Sequence, residues 1–127
     1  MADLRLLRPG LWLVESAVED FDVRAVMVAG RAAALVWDTL ARPSDMAGVA
    51  ELAGDLPLTV VYSHGDWDHV WGTAGLALPP RAIVAHEACL TRFAGELATT
   101  LKEKRAAAPG ELDEVVLLPP THTFRDA

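Results

Sequence analysis

The stretch Val60-Val61-Tyr62-Ser63-His64-Gly65-Asp66-Trp67-Asp68-His69-Val70-Trp71-Gly72 decides how the rest of the chain is read. A short apolar run with β-branched residues, from Thr59 to Tyr62, stops at two histidines and two aspartates within six positions. Apolar and small residues then resume. The run reads as a buried strand. Such a strand rarely ends in so many ionisable groups, because taking carboxylates and imidazoles out of water is costly unless something pairs them. A divalent metal ion is the most economical partner, since neutral imidazole and ionised carboxylate are both good ligands.

In extended chain, residues two apart point to the same side, so His64 and Asp66 can face one ion. Asp68 and His69 follow where the backbone turns toward a helix. The cluster can serve two neighbouring ions, or one ion with a carboxylate behind a ligand. The competing reading is a solvated loop whose histidines bind nothing.

Outward from this stretch, the chain reads as alternating elements. Apolar runs at 4–8 and 11–15 flank the turn dipeptide Pro9-Gly10, and runs at 23–28 and 33–37 flank Gly30-Arg31, giving two hairpins. Asp38 ends the second. Ser44 is placed to cap a helix over 45–53, with Met46, Val49, Ala50, Leu52 and Ala53 as its apolar stripe. Downstream, a short helix is expected over 70–74 and a strand over 82–85, with His86 at its carboxyl end. A long helix begins near Glu87, with Leu90, Phe93, Ala94, Leu97 and Leu101 at three- and four-residue steps. Lys102, Lys104 and Arg105 suit its last turn, and Pro109-Gly110 closes it. A last short strand is expected over 115–118, then a polar tail from 119 to 127 with some strand character at 122–124. The pattern is α/β: one domain over 1–127, a mixed sheet with helices on one face. In such sheets ligands collect beyond the carboxyl ends of the strands, where Asp38, the 64–69 cluster and His86 all fall.

Composition narrows the partners. A chain of 127 residues with a net charge of −7 is a poor binder of nucleic acid or anionic membrane. No run of about 18 residues lacks charges, so no membrane span is expected. The start Met1-Ala2-Asp3-Leu4-Arg5 has no apolar signal region, and Cys89 is the only cysteine, which together fit a cytoplasmic protein.

Ser63-His64-Gly65-Asp66-Trp67-Asp68-His69, after an apolar strand and before Trp71-Gly72, resembles the metal-binding signature His-x-His-x-Asp-His of the metallo-β-lactamase-fold hydrolases. Leu35-Val36-Trp37-Asp38-Thr39 resembles the same family's strand that ends in an aspartate beside the site. The resemblance runs from about Leu11 to Phe124. It implies that the sheet is the N-terminal half of the family's αββα sandwich. It makes His64 and Asp66 ligands of a first metal, Asp68 and His69 ligands of a second, and Asp68 the residue that also orients the attacking water. Asp38 becomes a residue that hydrogen-bonds a ligand or a nearby amide. The implied cofactor is one or two divalent ions, zinc foremost, and the implied reaction is hydrolysis of a small-molecule substrate.

Two departures from the family pattern carry expectations of their own. Asp66 stands where a second histidine is usual, which adds charge and hardens the site, favouring manganese or iron over zinc. Later ligands of the family come from a second half, and the chain stops about where that half begins. An open apolar sheet face is therefore expected, completed by a homo-oligomer or a partner. A non-catalytic metal-binding or interaction module on the same scaffold is the alternative function. Asp66-x-Asp68 as a phosphoryl-transfer metal pair ranks last, because it leaves both histidines unexplained and no glycine-rich loop accompanies it. His86 is read as either a further ligand or the cap of its helix. Trp67 and Trp71 either wall a pocket or pack in the core. Cys89 is read as buried, and His122 as without a role.

Overall fold

The computed structural model describes residues 2–77 and 79–126. Met1, Leu78 and Ala127 lie outside the described residues; the first and last belong to segments read above. Among the described residues, seven strands form one sheet in sequence order: β1 (Asp3–Arg8), β2 (Leu11–Val18), β3 (Phe21–Ala29), β4 (Ala34–Trp37), β5 (Leu58–Val61), β6 (Ala82–His86) and β7 (His122–Phe124). The first four pair antiparallel, and β4 through β7 run parallel. Both expected hairpins form. β2 and β3 extend toward each other until Val18 pairs with Phe21.

Among the described residues, four α-helices lie between the parallel strands: α1 (Ala47–Ala53), α2 (Trp67–Val70), α3 (Glu87–Phe93) and α4 (Glu96–Ala107). The two-residue alternation of the strands sends Val14, Val23, Ala25, Met27, Val36, Val60, Ile83 and Ala85 to the buried face. There they meet Met46, Val49, Val70, Trp71, Leu97 and Leu101, which close the core from the helical side. None of the described helices is long and apolar enough to cross a membrane.

The other sheet face is open. Across it the register aligns Leu13, Val26, Trp37, Val61 and Val84 in one row, and Leu11, Val28, Leu35, Thr59 and Ala82 in the next. Trp37 and Val28 are about half exposed, at 48% and 47%. A band of this size on the outside of a sheet is the apolar layer expected of a half-sandwich.

Three local expectations need correction. Ser44 caps no helix: it lies within a 3-10 turn, Pro43–Met46, that precedes α1, with Pro43 at the first position. The neighbouring Asp45 is drawn inward instead, accepting from Ser16 Oγ and Arg42 Nε at 3.0 Å each. The long helix is two helices, broken at Ala94–Gly95, so its five apolar positions do not share one face. Leu97 and Leu101 are buried, while Leu90 is 41% exposed and Ala94 faces solvent. The last strand is His122–Phe124, not 115–118. The carbonyls of that earlier stretch are spoken for by side chains: Arg105 Nη2 donates to Val115 O at 2.8 Å and Tyr62 Oη to Leu118 O at 2.9 Å. Pro119 and Pro120 behind it have no N–H to give a ladder.

Candidate metal centre

Beyond the carboxyl ends of β4 and β5, two loops are locked together. The first, 38–40, contains two non-glycine residues with left-handed backbone, Asp38 at φ 68° and Leu40 at φ 62°. A leucine there is strained and persists only where its surroundings over-determine it. The determinants are backbone hydrogen bonds: Asp38 N to Val61 O at 2.8 Å, Thr39 N to His69 O at 2.9 Å and Gly72 N to Leu40 O at 3.2 Å. Thr39 and Thr73 add a hydroxyl pair at 2.9 Å, and Tyr62 Oη joins Thr73 Oγ1 at 2.7 Å.

The strained turn aims the buried Asp38 carboxylate at three donors. Oδ1 accepts from the Ser63 amide at 2.7 Å, and Oδ2 accepts from Ser63 Oγ at 2.6 Å and His69 Nδ1 at 2.9 Å. His69 Nε2 faces Asp68 Oδ2 at 3.4 Å. The result is a line, carboxylate to imidazole to carboxylate, in which Asp38 fixes the ring and leaves Nε2 as the outward nitrogen. The Asp38 hydrogen bond raises the His69 pKa above its ordinary value, and the charges of Asp38, Asp68 and Asp66 add to this against partial burial.

A second pair lies beside it. His64 Nδ1 is 3.4 Å from Asp66 Oδ2, and the His64 and His69 rings are in contact with centroids 4.2 Å apart. His64 Nδ1 also accepts from the Asp66 amide at 3.2 Å, so its lone pair is engaged by backbone and a cation at that nitrogen would have to displace this contact. Each pair sets one imidazole nitrogen and one carboxylate oxygen 3.4 Å apart, with the nitrogen clear of backbone only in the His69–Asp68 pair. Two ligands at zinc bond lengths on a tetrahedral ion stand about 3.4 Å apart, so donor type and spacing fit within each pair. Among the described residues, no three histidine, cysteine or acidic groups gather around one point.

The other candidates divide. His86 is the cap of α3: its Nδ1 accepts from the Ala88 amide at 3.0 Å and its Nε2 donates to Arg125 O at 2.7 Å, so both ring nitrogens are engaged by backbone. Trp67 packs edge-on to Phe21 and against Trp71, with Lys104 Nζ 4.1 Å from its ring centre. It lines a hollow with Val18, Arg42, Lys104 and Leu112, a lining that includes neither His64 nor His69. Trp71 is fully buried core. Cys89 is buried and its thiol is pushed up to about 11, mainly by desolvation, which suits an inert side chain. The His122 ring meets its neighbour Thr121, Nδ1 to Oγ1 at 2.9 Å, while its backbone sits in β7 opposite Val84.

Sequence reasoning missed the Ser63 side chain, the Thr39–Thr73 pair and Arg92. Arg92 Nη1 contacts Asp66 Oδ1 at 2.9 Å. Nothing local in the sequence links positions 66 and 92; only the packing of α3 beside the loop does so.

The family model for the metallo-β-lactamase superfamily matches residues 18–126. The chain belongs to this superfamily. Solved structures agree on the fold. The metallo-β-lactamase FIM-1 from Pseudomonas aeruginosa, in a mono-zinc form, superposes with a TM-score of 0.68 at 16% identity. A metallo-β-lactamase from Erythrobacter litoralis gives 0.69 at 16% identity, and one from Hirschia baltica gives 0.62 at 15%. In each case 99% of this chain is covered, and 51%, 51% and 53% of the other, so the chain spans about half the length of these relatives. No curated protein matches it.

Proposed function

We propose that this superfamily member is a metal-dependent hydrolase of a small-molecule substrate. His64 with Asp66, and Asp68 with His69, would hold one or two divalent ions, zinc first and manganese or iron next. The observation that carries the reading is the Asp38–His69–Asp68 line, which fixes an imidazole between two carboxylates with Nε2 outward. The FIM-1 neighbour, described in a mono-zinc form, supports zinc as the first ion to try.

A bound divalent ion brings water toward ionisation near neutral pH and polarises the bond under attack. The chain's own residues supply the rest. Asp38 holds the His69 tautomer, and the loop amide of Ser63 holds Asp38. Asp68, beside Nε2, would orient the attacking water and take a proton from it. A reducing cytoplasm suits the lone buried Cys89.

The test is Asp68→Ala, assayed for zinc and manganese content and for turnover of an ester, thioester and lactam panel. The expected result is a folded protein with less bound metal and no hydrolysis. Unchanged metal content would remove Asp68 from the ligands. Metal loss in the variant without turnover in either protein would favour the non-catalytic metal-binding module.

We further propose that the open sheet face is covered in the working protein by a second copy of this chain, making an oligomer. Trp37 and Val28 at the centre of that face supply the apolar contact. Sedimentation equilibrium is expected to give more than one chain per particle, and Trp37→Glu to return it to one. A compact monomer at micromolar concentration overturns the proposal.

A further inference from the structure

Arg92 reaches from α3 across to the loop that carries the candidate ligands. Its Nη1 lies 2.9 Å from Asp66 Oδ1, and its Nη2 lies 3.0 Å from Glu96 Oε2 at the start of α4. The other Asp66 oxygen, Oδ2, faces His64 Nδ1 at 3.4 Å. The carboxylate is therefore divided, one oxygen on the guanidinium and one toward the imidazole.

Exposed ion pairs usually do little. This one is held by packing. The aliphatic stem of Arg92 crosses Gly65, where a Cβ would stand 2.9 Å from Arg92 Cδ and 3.2 Å from its Cβ. Arg92 Nε is buried beneath, without a hydrogen-bond partner. The missing side chain at position 65 makes the room, and this packing of the stem, not the unpaired Nε–H, holds the guanidinium in place.

We infer that Arg92 is a positioning residue that makes Asp66 act toward a divalent ion as a neutral ligand with a single oxygen, and thereby biases the cluster toward zinc over manganese. This rests on the reading of the cluster as a metal site. An unpaired aspartate offers two oxygens and a full negative charge, which suits harder ions with larger coordination numbers. Zinc, with four short bonds, uses one oxygen of such a ligand. The guanidinium removes the second oxygen and offsets the charge, so the Asp66–Arg92 pair presents to a cation what one neutral imidazole would. A purely structural tie between the loop and α3 would leave metal preference unaltered.

The experiment measures Zn²⁺ and Mn²⁺ affinities of the full chain by competition with a chromophoric chelator, with thermal unfolding of each variant as the check on folding. Arg92→Met keeps the stem over Gly65 and removes the charge. It is expected to tighten Mn²⁺ binding about tenfold, roughly the effect of one unit charge near a divalent ion in screened surroundings. Zn²⁺ binding should tighten less. In the Asp66→His background the same Arg92→Met change should leave the Mn²⁺/Zn²⁺ ratio where it was. If Asp66→Ala binds both ions as the parent does, position 66 is no ligand and the inference falls with that reading. If Asp66→Ala weakens binding but Arg92→Met leaves the ratio unchanged, or shifts it equally in both backgrounds, the inference alone fails. Should Arg92→Met not fold, Arg92→Gln carries the same measurement.

Discussion

Asp38→Asn is expected to weaken metal binding roughly 10–100-fold, the range typical when the group behind a histidine ligand is lost. Asparagine tolerates the left-handed backbone at position 38 and has nearly the shape of aspartate, so the turn survives. Its chemistry is what fails. Three donors converge on Asp38: the Ser63 amide, Ser63 Oγ and His69 Nδ1. An amide has one oxygen for them, and its NH₂ must face a donor or force a change of tautomer. The cheapest adjustment turns His69 so that Nδ1 accepts and Nε2 carries the hydrogen. Nε2, the nitrogen facing Asp68, then has no lone pair for a cation. The remaining mismatch should cost roughly 1–3 kcal/mol of stability.

The same substitution has a pH signature. The folded His69 pKa lies above the ordinary 6.5 because Asp38 favours the imidazolium. A group raised in this way contributes stability that is complete below its unfolded pKa and disappears as pH rises through the folded one. The metal-free parent should therefore lose stability as pH climbs from about 6.5, and Asp38→Asn should flatten that slope. Metal opposes the trend, since ligation needs the neutral ring, so zinc should protect the parent more at the upper end of the window. Chelator competition, imidazole ¹⁵N shifts and thermal unfolding across pH measure the three effects. Parent-like zinc affinity in the asparagine variant would detach Asp38 from the site.

The alternation of Val23 to Val28, the turn dipeptides and the β-branched run before Ser63 placed most strands by local rules, because each strand's face is written in its own residues. The histidines and aspartates at 64–69 stood out for the same reason, as an uncompensated cluster of charge at a strand end. What sequence could not supply was partnership at a distance. Asp45 reads as a helix-start acid, yet folding turns it toward Ser16 and Arg42. The apolar positions at 90, 93, 94, 97 and 101 keep helical spacing across Gly95, but the chain bends there and spreads them over two faces. The segment 115–118 has strand-like residues whose carbonyls are claimed by Arg105 and Tyr62. Arg92 looks like an ordinary surface cation until α3 sets it over Gly65. The left-handed backbone at Leu40, which aims Asp38, has no signature in a leucine.

Gly72→Ala is expected to be severely damaging, although it adds one methyl group and replaces a poor helix former by a good one. On propensity alone alanine should stabilise this turn by about 1 kcal/mol. Geometry decides otherwise. A Cβ at position 72 would fall 1.7 Å from Thr39 O, 2.9 Å from Thr39 C and 3.0 Å from Met46 Cγ. The obstructing atoms are mostly backbone, in a segment already bent by the left-handed residues Asp38 and Leu40, so no rotamer change relieves the clash. The turn must back away, breaking the hydrogen bond from Gly72 N to Leu40 O and loosening the one from Thr39 N to His69 O. A loss of about 3–5 kcal/mol is expected, well above the usual range for overpacking and enough to leave a domain of this size partly unfolded. Because the same bonds hold Asp38 against His69, the fraction that remains folded should also bind zinc less tightly. Denaturant unfolding followed at the tryptophans and chelator competition at low temperature separate the two effects. If Gly72→Ala unfolds at the parent's midpoint and keeps its zinc affinity, the close approach of these two loops is not what holds Asp38 in place.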